Sequence, residues 1–273
     1  MVRALWSAAS GMIAQQNNVD TIANNLANVN TVGYKTEQNE FKSLLYQEIQ
    51  TKTTSANGMA KPVSAQVGLG VRNAAITSQF TQGAFTASES TTSFAISGDG
   101  FFQLQGAGGE KYYTRNGDFH FAIGQGGVLT LTNSEGMPVC NTAGAPITIP
   151  DGYVASKVEV DASGQLTYPD ENNNQQPIPG SQMGLYQFQN ASGLEKRGDT
   201  LYEVTAASGP AMNEATNAQL KKSEVRQGYL EASNVQVADE MVNLIVAQRA
   251  YELNSKAITT ADSMMQTANE LKR

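Results

Sequence analysis

Apolar residues at the N-terminal end recur in alternating steps of three and four. Positions 2, 5, 9, 12, 16, 19, 23 and 26 read Val2, Leu5, Ala9, Met12, Gln16, Val19, Ala23 and Leu26. Only Gln16 interrupts an a/d stripe, and the spacing predicts a long helix. At about 100° per residue, Asn17, Asn18, Asn24, Asn25 and Asn28 gather within roughly one third of the circumference, opposite Val19, Ala23 and Leu26. Amides thus supply a polar face that exposed helices usually build from Glu and Lys, although Asn is a poor helix former.

The C-terminal stretch 233–273 has no Gly or Pro and predicts a second, longer helix. Ser233 and Gln236 have the spacing of a capping box, and Asp239 and Glu240 suit the positive end of the helix dipole. Lys272 and Arg273 suit its other end, and Glu252 with Lys256 has favourable i,i+4 spacing. Its apolar residues form two stripes: Val237, Met241, Leu244, Tyr251, Ile258 and Met265, then Val246, Ala250, Leu253, Ala257, Met264, Ala268 and Leu271. These lie roughly 140° apart on the helix, too far for one partner helix to cover.

Between the ends the period changes to two. "FAISGDGFFQLQ" (94–105), "YYTRNGDFHF" (112–121), "VEVDASGQLTY" (158–168) and "LYQFQNASGLEKRGDTLYEV" (185–204) alternate around Gly-containing turns and predict hairpins, with Asn116-Gly117 the clearest turn signal. All eight prolines lie between Pro62 and Pro210, which confines long helix to the two ends. The stretches 57–70 and 167–180 read as loops. The expected fold class is α+β: long terminal helices paired as a coiled-coil-like hairpin, an inserted all-β domain and an extended connecting segment.

Composition narrows the function. A net charge of -7 excludes a nucleic-acid partner of the usual basic kind. Charged residues are 16% of the 273-residue chain against roughly 25% in ordinary globular proteins, so its surface is suited to cover by something other than water. No run reaches the roughly 18 apolar residues of a membrane span, and the first residues lack the apolar stretch of a secretory signal. The single cysteine, Cys140, excludes an intrachain disulfide, and a lone His120 on a predicted strand offers neither a metal set nor a triad. No GxGxxG or Gly-Lys phosphate loop is present, so no cofactor is expected. Asp99, Glu110 and Asp118 near turns leave a β-rich glycan hydrolase or adhesin as the alternative of a different class, and a regulatory coiled-coil module as another.

Neutral amides can bond to neighbouring chains without the desolvation cost of buried ions, which favours a bundle of many copies over a solvated monomer. The residues then carry a resemblance. "ANNLANVNTVGYK" (23–35) resembles the N-terminal signature of the bacterial flagellar axial proteins, the rod and hook subunits. "QGYLEASNVQVADEMVNLIVAQRAYELNSKAITTADSMM" (227–265) resembles their C-terminal signature, and "VGLGVRNAAITSQFTQGAFTASESTTSFAISGDGFFQL" (67–104) with "YYTRNGDF" resembles the rod proteins in particular. The stretch 41–71 corresponds to the segment by which distal rod subunits differ from hook subunits; a proximal rod or hook subunit is the alternative within the family.

The resemblance implies a structural polymer and no enzyme: a helical tube around an export channel, its inner layer formed by residues 1–35 with 233–273. Residues 36–70 would be the extended connection and 71–232 the β-rich outer domain. It further implies export through the flagellar export apparatus without a cleavable signal, a basal-body location spanning the periplasm, and terminal segments that fold on assembly. The partners implied are copies of itself, the proximal rod and hook-side axial proteins and the surrounding ring proteins. Leu5, Met12, Asn24, Asn25, Leu26 and Asn28 are assigned by this analogy to packing in the inner layer. Val237, Met241, Leu244, Ile245, Tyr251 and Ile258 face them or neighbouring copies, with Gln248 and Arg249 bonding across chains. Gly33, Tyr34 and Lys35 form the connection, Gly33 permitting the backbone to leave the helix.

Overall fold

The computed structural model describes residues 2–50, 65–124, 127–150, 153–170 and 174–271. From the N-terminus the elements are α1 (Val2–Ala27), β1 (Glu37–Ser43), β2 (Tyr46–Gln50), β3 (Ala65–Gly68), β4 (Val71–Ser78), β5 (Phe85–Ala87), β6 (Phe94–Ser97), β7 (Phe101–Gln105) and β8 (Lys111–Thr114). There follow β9 (His120–Ile123), β10 (Leu129–Thr132), β11 (Thr148–Ile149), β12 (Glu159–Val160), β13 (Gln165–Pro169), β14 (Gln175–Gln182) and β15 (Leu185–Gln187). The last are β16 (Glu195–Gly198), β17 (Leu201–Glu203), β18 (Met212–Asn213), β19 (Glu224–Gln227), β20 (Tyr229–Glu231) and α2 (Val237–Glu270). The class is α+β, with the two long helices at the ends as their periodicity requires.

The chain divides into two compact units, one of Met1–Ala27, Glu37–Ser78 and Gln236–Arg273, the other of Asn28–Thr36 and Gln79–Val235. These boundaries differ from those expected. Part of the proposed connecting segment is regular structure: β1 pairs with β4 from Glu37↔Ser78 to Ser43↔Val71, and β2 pairs with β3. Hydrogen bonding between strands, invisible to local composition, groups residues 37–50 and 65–78 with the helices. Residues 51–64, the centre of that segment, lie outside the described residues, as do Lys272 and Arg273.

In the larger unit a six-stranded antiparallel sheet runs in the order β16-β17-β8-β7-β15-β18, beside sheets β11-β10-β9 and β12-β13-β14 and the pairs β19-β6 and β20-β5. Period-two alternation sends Phe102, Leu104, Leu185 and Leu201 to one face, where they join Phe94, Phe119, Leu131 and Ile147. Phe101, Tyr113, Tyr186 and Tyr202 occupy the other face with Phe188 packed on them. There Tyr113 and Phe188 meet edge to face at 4.9 Å and 87°. Both faces are covered, and Phe101 through Leu104 of β7 are all buried, the polar Gln103 included.

Two of the four expected hairpins form. β12 and β13 join through Gly164 at φ +78°, and β16 and β17 through Asp199 and Thr200, both at positive φ as a tight two-residue hairpin requires. The other two do not. β6 pairs with β19 and β7 with β8 and β15, while β8 pairs with β7 and β17 and β9 pairs with β10. Asn116-Gly117 is instead a corner between sheets. Asn116 Oδ1 accepts from the Asp118 N–H at 3.0 Å, and a Cβ on Gly117 would lie 1.7 Å from the Phe94 carbonyl oxygen. A turn signal states that the chain bends, not which strand it will meet.

Candidate assembly interface

Within the helical unit α1 and α2 run antiparallel. A Cβ on Gly11 would lie 2.9 Å from Asn254 Nδ2, and Asn25 Nδ2 donates to Glu240 Oε2 at 3.4 Å, so rising numbers on one helix meet falling numbers on the other. The buried positions are mostly small: Ala8, Ala14 and Thr21 with Ile22 and Asn25 on α1, and Ala247 and Ala261 with Glu240 on α2. Small residues let helix axes approach closely. The covered face of α1 is accordingly rotated from the predicted stripe, of which Gln16 and Ala23 are exposed and Leu5, Met12 and Leu26 half-buried. Ser10 Oγ accepts from the Val71 N–H at 3.3 Å, and Gly70 beside it, at φ +115°, would put a Cβ 2.1 Å from that oxygen.

Asn25 and Asn28 of the amide face bond within the chain. Asn25, 1% exposed, donates through Nδ2 to the Glu37 carbonyl at 2.8 Å and accepts through Oδ1 from the Glu37 N–H at 2.9 Å. One carboxamide thus imitates an adjacent strand for β1 and reaches Glu240 as well, within the chain. Asn28 Oδ1 accepts from Thr31 Oγ1 at 3.0 Å, also within the chain. Asn24 is exposed, and with Asn17 and Asp20 it lines a cleft of about 460 Å³ whose other wall is Asn73–Ile76 of β4.

On α2 the two stripes part company. Leu244, Ile258 and Met265 are half-buried, whereas Val246, Leu253, Met264 and Leu271 are 51–84% exposed. Val237, Met241, Ile245 and Tyr251 are exposed too, as is Gln248. The face that α1 covers runs through Glu240, Ala247 and Ala261, with Leu244, Ile258 and Met265 at its edge, so one helix covers neither stripe whole. Two local expectations fail. Gln236 is itself the N-cap and makes no side-chain cap bond, because the helix starts at Val237, and Ser233 Oγ accepts from the Val235 N–H. Glu252 pairs with Arg249 at 2.8 Å rather than with Lys256.

The connection is not a simple hinge. α1 ends at Ala27, six residues before Gly33, so Gly33 does not release the helix. Its φ of +70° instead lets the chain press on the β-rich unit's Asn116, whose backbone nitrogen would lie 2.6 Å from a Cβ there, and its N–H donates to the Glu231 carbonyl at 2.8 Å. Tyr34 is half-buried. Lys35 is 1% exposed; its Nζ donates to Glu231 Oε1 at 2.6 Å and to the Thr81 carbonyl at 2.7 Å. Arg115 Nε donates to Glu231 Oε2 at 3.0 Å, and its Nη1 to the carbonyls of Gly98 and Gly100, each at 2.7 Å. Burial pushes the Lys35 ammonium below the usual lysine range and Arg115 adds to this, while Glu231 opposes both. The node ties the residues after α1 to those before α2 across most of the sequence. Sequence reading missed Glu231 and Arg115, and the only signal was that each is a charge inside an otherwise apolar or Gly-rich signature.

Burial raises the Cys140 thiol to about 11, which removes it as a nucleophile. His120 is exposed on β9, Glu110 accepts from the Tyr112 hydroxyl, and no group of three or more metal-ligating side chains occurs among the described residues. Among them, too, no helix is long and apolar enough to cross a membrane.

Comparison with known proteins gives these features a setting. Residues 5–35 match the family described as Flagella basal body rod protein, residues 95–168 the Flagellar hook protein FlgE/F/G D1 domain, and residues 226–271 the Flagellar basal body rod FlgEFG protein C-terminal. Flagellar basal-body rod protein FlgG of Borreliella burgdorferi is 41% identical over 274 residues, covering all of both chains. That of Caulobacter vibrioides is 40% identical over 99% of this chain and all of its own. A solved hook protein, FlgE2 of Helicobacter pylori, aligns with 66% of this chain and 48% of its own at 15% identity and a TM-score of 0.24. Full-length relatives at this identity show that the chain belongs to the flagellar basal-body rod protein family.

Proposed function

We propose that the protein is a structural subunit of the distal rod, polymerising through its terminal helices into a helical tube that carries motor torque to the hook and encloses the export channel. The observation that carries this reading is the inverted helix pair: small residues lie inside it and Trp6, Ile13, Val246, Leu253 and Leu271 outside. Apolar surface of that extent is unfavourable on a solvated monomer and favourable between copies. The predicted inner-layer residues remain the proposed interface, with Asn25 acting on it indirectly by holding α1 to β1 and α2. Supercoiling of the pair as a coiled coil, and folding of the ends on assembly, belong to the same proposal.

A heterologous contact that does not close on itself extends such a subunit into a filament. Proximal rod and hook-side axial proteins would continue it at its two ends, ring proteins would surround it, and the flagellar export apparatus would deliver each copy. The test compares the full chain with one lacking residues 1–27. The truncated protein should retain the near-ultraviolet circular dichroism of the aromatic β core yet sediment as a monomer, while the full chain forms tubes visible by electron microscopy. Tubes formed without α1 would sink the reading.

A further inference from the structure

Trp6 and Ile13 stand seven residues apart on α1 and are 70% and 62% exposed. Asp20, a further seven along, is exposed as well, so the three lie on one ridge that runs from apolar to acidic. The outward ridge of α2 repeats this spacing in Val246, Leu253 and Thr260, with Met264 one turn beyond. Along its edge stand Arg249 and Lys256, also seven apart and exposed.

We propose that the α2 ridge of a second copy seats antiparallel on this α1 ridge, with Ile13 against Leu253. The proposal rests on the polymer reading above and names the faces that meet in it. Antiparallel is the sense that follows when all copies in a filament point the same way, since α1 and α2 are antiparallel within each copy. In that register Asp20 lies opposite Val246, one turn from Arg249, and Trp6 lies opposite Thr260, one turn from Met264. Arg249 is available to Asp20 because its pairing with Glu252 is exposed, 75% and 61% at the two side chains, and such pairs hold weakly.

Charge decides against the symmetric alternative. Two α2 ridges meeting antiparallel about Leu253 would set Arg249 of one copy beside Lys256 of the other, like against like. The α1–α2 seam sets an acid against a base and uses different faces of the two copies, the condition for growth without closure.

The full chain with Ile13→Cys and Leu253→Cys would be assembled and then oxidised; Cys140 is buried. A ladder of cross-linked dimers, trimers and higher species is expected, absent from either single-cysteine variant. Assembled copies that yield no ladder would overturn the seam and leave the polymer standing, whereas wild-type copies that never assemble would overturn both. Without added cysteines, Asp20→Arg should lower the assembled fraction about tenfold, and adding Arg249→Asp to the same chain should restore it. A loss that the second change fails to restore would count against the register.

Discussion

In the β-rich unit Phe102, Leu104 and Leu131 are wholly buried, whereas in the helical unit Trp6, Leu253 and Leu271 are 70%, 68% and 84% exposed. Among the described residues, the exposed large apolar side chains of the β-rich unit are Ile123, Val154 and Tyr229 alone. The first unit covers its apolar side chains with its own strands. The second buries alanine and leaves its largest side chains outside, an arrangement with a favourable free energy only when other copies exclude the water. On the proposed reading, stability belongs to the single chain in one unit and to the assembly in the other.

The sharpest test of that contrast is a pair of truncations. Phe102→Ala should destabilise the isolated chain by about 3–5 kcal/mol in urea unfolding, since it empties a fully buried site between sheets. Leu253→Ala should change the same measurement by less than about 0.5 kcal/mol and instead reduce assembly. Equal losses in the monomer would erase the distinction.

Glu231→Gln leaves Lys35 and Arg115 as neighbouring buried cations without their counter-charge. We expect a loss of about 3 kcal/mol or more, read by thermal or urea unfolding of the β-rich unit. Lys35→Met should cost less, because the Arg115–Glu231 pair survives it.

Asn25→Ala removes both bonds to the Glu37 backbone and should cost the helical unit about 2 kcal/mol. Faster amide exchange at Glu37 would be the direct readout. No change there would mean that β1 does not depend on α1.

The smallest effect concerns pH. The folded Cys140 thiol is raised from 9.0 to about 11, so the unfolded chain releases that proton first as pH rises. The stability this group contributes is fully present below about pH 9 and is lost as pH climbs toward 11; between pH 9 and pH 10 the loss is about 1 kcal/mol. Cys140→Ala should flatten that part of the stability profile, and an unchanged slope would count against the cause given.

Legibility followed the range of the interactions. The two helices, the double stripe of α2 and the strands at 158–168 and 195–203 could be read because each depends on neighbours a few residues away. Asn116-Gly117 reads as a hairpin by the same local rule and is a corner, since the partners of β8 are strands distant in sequence. Gly33 and Lys35 read as a link where helix gives way to loop. Yet Lys35 meets Glu231, and no window of sequence contains both. The apolar residues proposed for the interface on α2 stand out as stripes in the sequence, while the choice of alanines for the in-chain seam does not, because periodicity ranks residues by angle and not by how closely two axes can approach.

By itself the sequence determined that both ends are helical, that the middle is β, that α2 carries more apolar surface than one partner can cover, and that the chain resembles flagellar axial proteins. Those properties arise from residue type and spacing along a single element. Tertiary structure alone decided which face of each helix turns inward, that residues 37–50 and 65–78 join the helices in paired strands, and that Lys35, Arg115 and Glu231 share one buried site. Each of these depends on groups brought together only by folding, where desolvation and hydrogen bonding across long separations select one arrangement among many that local preference allows.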